Sequence, residues 1–136
     1  MFSLKELFDF CIIDDHIGLK NNLNYLSDIN EKDIETGWTL LSVAAFNHSL
    51  NCVKLLLLKG ANINSINNNG TSILMFAKTK VFSNRNFKFL EYLIKNGADI
   101  YMKDYFGKDV LDYVKEKNDS EMIRFFNKKM NKKTNG

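Results

Sequence analysis

The sequence contains no proline and only two cysteines among its 136 residues. Because proline pre-sets rigid extended turns, its absence favours a chain made mostly of helices joined by Gly and Asn turns. Cys11 and Cys52 are too few for a disulfide framework and form no C-x-x-C pair, so neither a zinc site nor redox chemistry is indicated. We interpret both cysteines as small buried apolar residues in a reducing compartment.

Long apolar runs are also missing. No stretch approaches the roughly 18 apolar residues that a membrane-spanning helix needs. A signal peptide would begin with basic residues and an apolar core, whereas this chain begins with the acidic residues Glu6, Asp9, Asp14 and Asp15. These absences predict a soluble, cytoplasmic protein.

Composition and charge are those of one globular domain. The apolar fraction is 45% and the charged fraction 26%, close to the averages for soluble domains. Residues 1–40 hold eight acidic residues and three lysines, a net charge of −5, whereas the remainder holds sixteen basic and eight acidic residues, a net charge of +8. Such an asymmetry steers the approach of a partner more than it determines a fold.

An internal repeat runs through the chain. The segment G-W-T-L-L-S-V-A at 37–44 aligns with G-T-S-I-L-M-F-A at 70–77 and with G-K-D-V-L-D-Y-V at 107–114, at offsets of 33 and 37 residues. A leucine-rich block in which a helix is followed by Gly-Ala lies at 55–64 and again at 90–100. The second offset is longer, so four extra residues lie between the helices of the middle repeat, in the stretch 80–87. A period of this length indicates a repeat solenoid.

The residue types at the repeated positions have physical reasons. Gly60 and Gly97 are predicted to end helices in the left-handed conformation, and Gly37, Gly70 and Gly107 to lie in tight polar turns. Small residues are expected where helices approach closely, and Asn or His where an inter-helix turn needs a positive φ. The residues concerned are Ala44, Ala45 and Ala77 for close approach, and Asn47-His48 and Asn118 for the turns.

Together these blocks resemble the ankyrin repeat, whose pattern includes T-P-L-H-x-A at a period of about 33 residues. The resemblance implies an all-α ankyrin-repeat solenoid of about four stacked helix-turn-helix repeats joined by finger loops. We expect an N-terminal capping repeat at 2–32, repeats at 33–66 and 67–103, and a C-terminal capping repeat at 104–134. The family proline is replaced by Leu40, Ile73 and Val110 and its histidine by Ser42, Met75 and Asp112, which predicts a divergent, modestly stable member.

Catalytic and metal-binding motifs are absent from the sequence. His16 and His48 are the only histidines, and there is no Ser-His-Asp arrangement, nucleotide-binding glycine loop or H-x-x-x-H pair. We therefore predict no enzymatic activity, cofactor or metal, and we interpret His48 as a turn residue. The acidic N-terminal cluster is interpreted as a solvated helix cap, with contact to a basic partner as the alternative.

The C-terminal basic run also has two readings. Lys128, Lys129, Lys132 and Lys133 could complement a helix C-terminus and fray into a soluble tail, or they could contact nucleic acid or anionic lipid. We favour the helix-terminus interpretation, because a nucleic-acid-binding surface normally combines stacking aromatic residues with a wider basic face.

The resemblance implies that a protein partner is held on the concave face, by the fingers and the adjoining inner helices. Trp38, Phe46, Tyr105 and Phe106 are expected to carry most of the binding energy, because the fingers project from the stack and leave such rings exposed for a partner to cover. The alternative is that the Trp38 ring folds back on its own repeat. The residues at the variable surface positions are Glu35, Thr36, Trp38, Phe46, Asn47, Asn68, Asn69, Thr71, Thr79, Lys80, Tyr105, Phe106, Lys108, Glu116 and Lys117.

The predicted function is therefore protein–protein interaction by occupancy. Because the solenoid is expected to fill the chain, we favour a stand-alone inhibitor, such as an immunity protein that neutralises a bacterial toxin, which is monomeric when free. The alternatives are an adaptor or assembly subunit, a host-directed ankyrin effector and, less favoured, nucleic-acid binding through the basic tail. A membrane partner is not expected.

Overall fold

The computed structural model describes the backbone of residues 3–135 and the side chains of residues 3–131. This part of the chain forms eight α-helices in four consecutive pairs, with a short 3-10 turn at Leu23–Tyr25 and no strand. The expected all-α solenoid is confirmed. The helices are α1 Leu4–Ile12, α2 His16–Asn22, α3 Leu40–Phe46, α4 Leu50–Leu58, α5 Ile73–Asn84, α6 Phe87–Lys95, α7 Val110–Glu116 and α8 Ser120–Asn135.

The pairs stack so that the first helices form one layer. In this inner layer α3 lies between α1 and α5, and α5 contacts α7, while α2 and α4 contact each other in the outer layer. Ala44, Ala45 and Ala77 are completely buried where these layers meet, as expected for close approach. The core continues through the stack from Leu7 in α1 to Phe126 in α8.

Each of the inner helices α3, α5 and α7 begins with a capping box. The Thr39, Ser72 and Asp109 side chains each accept a hydrogen bond from the backbone N–H three residues later. The residues at the position of the family histidine accept the second bond of the box. Ser42 Oγ accepts from the Thr39 N–H at 2.8 Å, and Asp112 Oδ2 accepts from the Asp109 N–H at 3.0 Å. The departures at this position therefore retain a local stabilising role.

The acidic N-terminal residues are largely parts of helix caps and turns. Glu6 completes a capping box with Ser3, and Asp15 Oδ1 accepts from the N–H of Gly18 at the start of α2. Asp14 has a φ of 57° and accepts from the N–H of Cys52 at 2.9 Å, which ties the first helix pair to α4.

The extra residues of the middle repeat extend a helix. α5 has 12 residues, whereas α3 and α7 have seven each, so the expectation of an insertion in an inter-helix loop is wrong. Val81 continues the buried stripe of Ile73 and Ala77 at four-residue spacing, which keeps the added turn on the core. The helix ends at Asn84 and is capped by Arg85, whose φ of 55° is left-handed.

The finger loops precede α3, α5 and α7. Gly37, Gly70 and Gly107 have φ values of 78–80°, as their predicted turns require. The fingers are linked along the stack, because Asn68 N–H donates to the carbonyl of Thr36 and Tyr105 N–H donates to that of Asn69, both at 3.0 Å. We refer to the surface formed by the fingers and the inner helices as the concave face.

The C-terminal end is more regular than the sequence suggested. α8 continues to Asn135, so the tail that was expected to fray is helical over the described backbone. Lys129 lies 3.4 Å from the Glu91 carboxylate and 5.5 Å from the Phe125 ring centre, so it packs on the outer layer. The side chains of Lys132 and Lys133 lie outside the described residues.

Candidate functional site

An apolar groove runs along the concave face between α1 and α3. Its volume is about 520 Å³, within the usual range for ligand sites. We call it the apolar groove. It is lined by Lys5, Phe8, Asp9, Ile12, Asp33, Thr36, Trp38, Val43, Phe46 and Asn47.

Trp38 forms one wall of the apolar groove and is half-buried. Its ring centre lies 4.5 Å from that of Phe76 and 5.8 Å from that of Phe46, the latter in an edge-to-face arrangement. The expectation of a freely exposed tryptophan ring is therefore wrong. The first finger turns back towards the inner layer, so α3 and α5 supply the apolar contacts that an isolated finger would lack.

The rim of the apolar groove carries more negative than positive charge. Asp33 accepts from the N–H and hydroxyl of Thr36 at 3.0 and 2.8 Å, and Lys5 Nζ lies 3.8 Å away. The hydrogen bond from the Thr36 hydroxyl is the main reason that the pKa of Asp33 is lowered. Asp9 adds a second carboxylate on the rim. Two carboxylates therefore face one ammonium group.

A second cavity of about 440 Å³ lies on the concave face between α5 and α7. We call it the lysine pocket. Its walls are Phe82 and Tyr113, and the Tyr113 ring centre lies 5.3 Å from both Lys78 Nζ and Lys108 Nζ. The pocket is lined by Lys78, Thr79, Phe82, Tyr113, Glu116 and Lys117.

Hydrogen bonds hold the Tyr113 wall in place. The Tyr113 hydroxyl donates to Asp104 Oδ2, and this bond raises the pKa of Tyr113 to about 12. Burial alone would raise the pKa of Asp104, but the bonds from Tyr113 and from the N–H groups of Lys108 and Phe106 lower it. The ionised Asp104 thus connects α7 to the third finger.

Lys78 is half-buried in the lysine pocket without an ion-pair partner. Its Nζ donates to the Met75 carbonyl at 3.0 Å, and no carboxylate oxygen lies within 4.0 Å of it among the described side chains. Burial lowers the pKa of Lys78, and the charge of Lys117 lowers it further, although the charge of Glu116 opposes this. The one carboxylate that lines the pocket, that of Glu116, is bound to Lys108 at 2.7 Å.

The third finger exposes two neighbouring aromatic rings. Tyr105 is 71% exposed and Phe106 is 70% exposed, so both rings lie largely in solvent. Asn68, on the second finger, donates from its side chain to the Glu35 carbonyl at 2.9 Å. The fingers therefore present a connected row of side chains.

The structure distributes the predicted partner-binding residues over the apolar groove, the lysine pocket and the fingers, with Lys80 apart from all three. Those in the apolar groove are Thr36, Trp38, Phe46 and Asn47. Those in the lysine pocket are Thr79, Glu116 and Lys117. Glu35, Asn68, Asn69, Thr71, Tyr105, Phe106 and Lys108 lie on the fingers, while Lys80 lies on α5 close enough to His48 to lower the pKa of that residue.

Several lining residues were missed by sequence reasoning. Phe8 and Ile12 belong to the first helix pair, where the register of the repeat was uncertain, yet their i, i+4 spacing beside the Leu4, Leu7 and Cys11 stripe marks a second apolar face. The lysine-pocket residues Lys78, Phe82 and Tyr113 were also missed. No sequence signal marks them as neighbours, because Phe82 lies on the helical extension of α5.

The two histidines occupy an inter-helix turn and the start of a helix. His48 lies in the α3–α4 turn with a φ of 56° and bonds to the Ala77 carbonyl, whereas His16 is the exposed first residue of α2. Within residues 3–131, no three His, Cys, Asp or Glu side chains are grouped to hold a metal ion. None of the described helices combines the length and apolar character needed to cross a membrane.

Comparison with known proteins agrees with this architecture. The family model described as "Ankyrin repeats (3 copies)" matches residues 10–104. The chain is 32% identical over 118 residues to the putative ankyrin repeat protein R664 of Acanthamoeba polyphaga mimivirus, covering 85% of this chain and 68% of that protein. It is 37% identical over 78 residues to the B-cell lymphoma 3 protein homolog of Mus musculus, covering 57% of this chain but 16% of that relative.

Proposed function

The chain belongs to the ankyrin-repeat family, and we propose that it acts by occupying the surface of one protein partner with its concave face. Ankyrin repeats form a non-enzymatic fold for protein–protein interaction. The observation that carries the proposal is the apolar groove, in which Phe8, Ile12 and Trp38 present apolar surface beside a charged rim. An apolar centre with a polar rim is the usual anatomy of a protein interface.

The energy available at the groove is considerable. Each Å² of apolar surface that a partner covers contributes about 25 cal/mol, and buried aromatic anchors dominate most interfaces. The hydrogen bonds from Asn68 to Thr36 and from Tyr105 to Asn69 hold the fingers in place before binding. A pre-organised surface loses less conformational entropy when the partner binds.

Within this function we favour inhibition, as of a toxin by an immunity protein. The apolar groove, the lysine pocket and the exposed third finger all lie on the concave face, so one partner can cover them together. Covering a partner's functional surface blocks it without chemistry. An adaptor would need a second partner-binding surface. The two buried free thiols support a reducing, cytoplasmic location.

A matched pair of variants tests the face. Ile12→Asp places a charge in the apolar groove at a residue that is 49% exposed, whereas Leu58→Asp changes a residue that is 82% exposed on the outer helix α4. We expect a partner captured from native extract by the wild type and by Leu58→Asp to be lost with Ile12→Asp. Equal capture of the partner by both variants would show that the binding site lies outside the apolar groove.

A second measurement separates inhibition from assembly. The partner identified by mass spectrometry is assayed for its own activity with and without a stoichiometric amount of this chain. Inhibition predicts that the activity falls in proportion to the fraction bound. Unchanged activity, together with recovery of a third protein in the same complex, would favour the adaptor function.

A further inference from the structure

The lysine pocket contains an ammonium group that forms no ion pair with the described side chains. Lys78 is half-buried, and its Nζ donates a hydrogen bond to the neutral carbonyl of Met75. A buried charge is costly unless it is paired, and the neighbouring Lys117 adds a like charge. Glu116 offsets this only in part, because its carboxylate forms its ion pair with Lys108, at 2.7 Å.

The pocket depends on the helical extension of α5. Phe82 forms its wall on the added turn, beyond the length of the equivalent helices α3 and α7. The end of that turn is anchored, because the Arg85 guanidinium lies 2.6 Å from the Asp119 carboxylate before α8. The other wall, Tyr113, is held by its bond to Asp104. Both walls of the pocket are therefore held in place beside the Lys78 ammonium group.

We infer that the protein partner places an acidic side chain, Asp or Glu, in the lysine pocket. The inference rests on the proposed function and names the chemistry of the partner at this part of the concave face. A carboxylate between Lys78 and Lys117 gains charge-assisted hydrogen bonds, which are roughly twice as strong as neutral ones. The methylene groups of the same side chain contact the rings of Phe82 and Tyr113.

A phosphate group fits the pocket less well. Bidentate recognition of phosphate favours arginine, and the described residues that line the pocket include no arginine. Glu116 also repels a doubly charged group more strongly than a carboxylate. The 440 Å³ volume is ample for one acidic side chain.

The groove and the pocket together limit the shape of the partner segment. They are separated by two inter-helix spacings of 8–10 Å, or about 20 Å at most. An extended chain crosses this distance in about six residues. A partner segment that is extended should therefore carry an apolar anchor and an acidic residue about six positions apart.

The test uses a randomised dodecapeptide phage library selected on the full chain. Selected peptides are synthesised, and their dissociation constants are measured by fluorescence anisotropy for the wild type, Lys78→Met and the control Lys88→Met, which changes an exposed lysine on α6. We expect the selected peptides to share an acidic residue. Its replacement by the amide should weaken binding about tenfold on the wild type and on Lys88→Met, but not on Lys78→Met.

Several results would overturn the inference. They are selected peptides without a shared acidic residue, an amide effect that persists in Lys78→Met, or no enrichment of any peptide. Displacement of the peptide by a single-stranded oligonucleotide of equal net charge would replace it with nucleic-acid recognition. If Lys78→Met fails to keep the wild-type circular dichroism spectrum, Lys117→Met, at an exposed position, takes its place in the same cycle.

The two proposals fail differently. If Ile12→Asp abolishes peptide binding and Lys78→Met leaves it unchanged, the concave-face function is supported. The inference of a bound carboxylate is then refuted. If neither variant affects binding of the peptides or of the captured partner, both fall.

Discussion

His48 and Ala77 join the second and third helix pairs through a side chain that also closes a turn. His48 Nε2 donates to the Ala77 carbonyl at 2.7 Å, and Nδ1 accepts from Asn84 Nδ2 at 3.1 Å. The ring stacks on Phe89 with the ring centres 4.3 Å apart. One nitrogen must donate and the other accept, so this arrangement requires the neutral imidazole with its proton on Nε2.

This relationship predicts a pH-dependent stability. Burial lowers the pKa of His48 from its ordinary value of 6.5, and the charge of Lys80 adds to this, although the bond to Ala77 opposes it. The unfolded chain therefore binds more protons, so the free energy of unfolding should decrease as pH falls from about 6.5 through the folded-state pKa. Urea unfolding between pH 7.5 and 5 measures the decrease.

His48→Asn is the control for that prediction, because asparagine tolerates the positive φ of this turn and does not titrate. The variant should be less stable at neutral pH and should lose part of the pH dependence between pH 7.5 and 5. Identical pH dependence in the two proteins would show that His48 does not contribute to it.

The turn glycines allow backbone strain and finger packing to be measured separately. Gly70 and Gly107 both have a φ of 78°, but a Cβ at Gly70 would lie 2.9 Å from the backbone N of Tyr105, whereas one at Gly107 would meet nothing within 4 Å. We expect Gly107→Ala to cost about 1–2 kcal/mol of stability from the left-handed conformation alone.

Gly70→Ala should cost about 1–3 kcal/mol more than Gly107→Ala, because the next finger must move away. Chemical denaturation of the two variants gives the difference directly. Equal destabilisation would mean that the second and third fingers can separate without loss of stability, contrary to their hydrogen-bonded packing.

The two cysteines should report the opening of the contact between the first and second helix pairs. Cys11 and Cys52 are fully buried, and a hydrogen bond with the Cys52 thiol, together with burial, raises the pKa of Cys11 well above its usual range. Since the thiolate is the reactive form, a disulfide reagent should label the folded protein only as fast as this region opens. Both thiols should react at once in guanidinium chloride, and rapid labelling of the native protein would refute their burial.

The aromatic residues and the basic tail should contribute differently to partner binding. Tyr105→Ala or Phe106→Ala removes an exposed ring, so we expect up to about thirtyfold weaker binding without loss of fold. Trp38→Ala should also lower the melting temperature, because the ring packs on Phe46 and Phe76. Truncation after Met130 should mainly change the association rate and its salt dependence.

Once the partner has been captured, surface plasmon resonance at two salt concentrations distinguishes a change in affinity from a change in association rate. Circular dichroism melts of each variant separate binding from folding. Abolished binding after truncation, with wild-type affinity for the two finger variants, would assign the interface to the basic tail.

The sequence determined the features that depend on local chain geometry. The positive φ values at Gly37, Gly60, His48 and Asn118 were predictable, because few residue types tolerate that conformation. The spacing of the repeated blocks was sufficient to predict four helix pairs, since each pair must bury its apolar stripe against its neighbours.

Tertiary structure decided which of the remaining side chains face one another. The alignment located the extra residues of the middle repeat, but only the packing of Val81 on the core shows that they extend α5 and bring Phe82 to the lysine pocket. Likewise, Trp38 lies against Phe76 and Lys78 beside Tyr113, 38 and 35 positions apart in the chain. Such pairs follow from the stacking of neighbouring repeats, which brings together side chains that no local spacing relates.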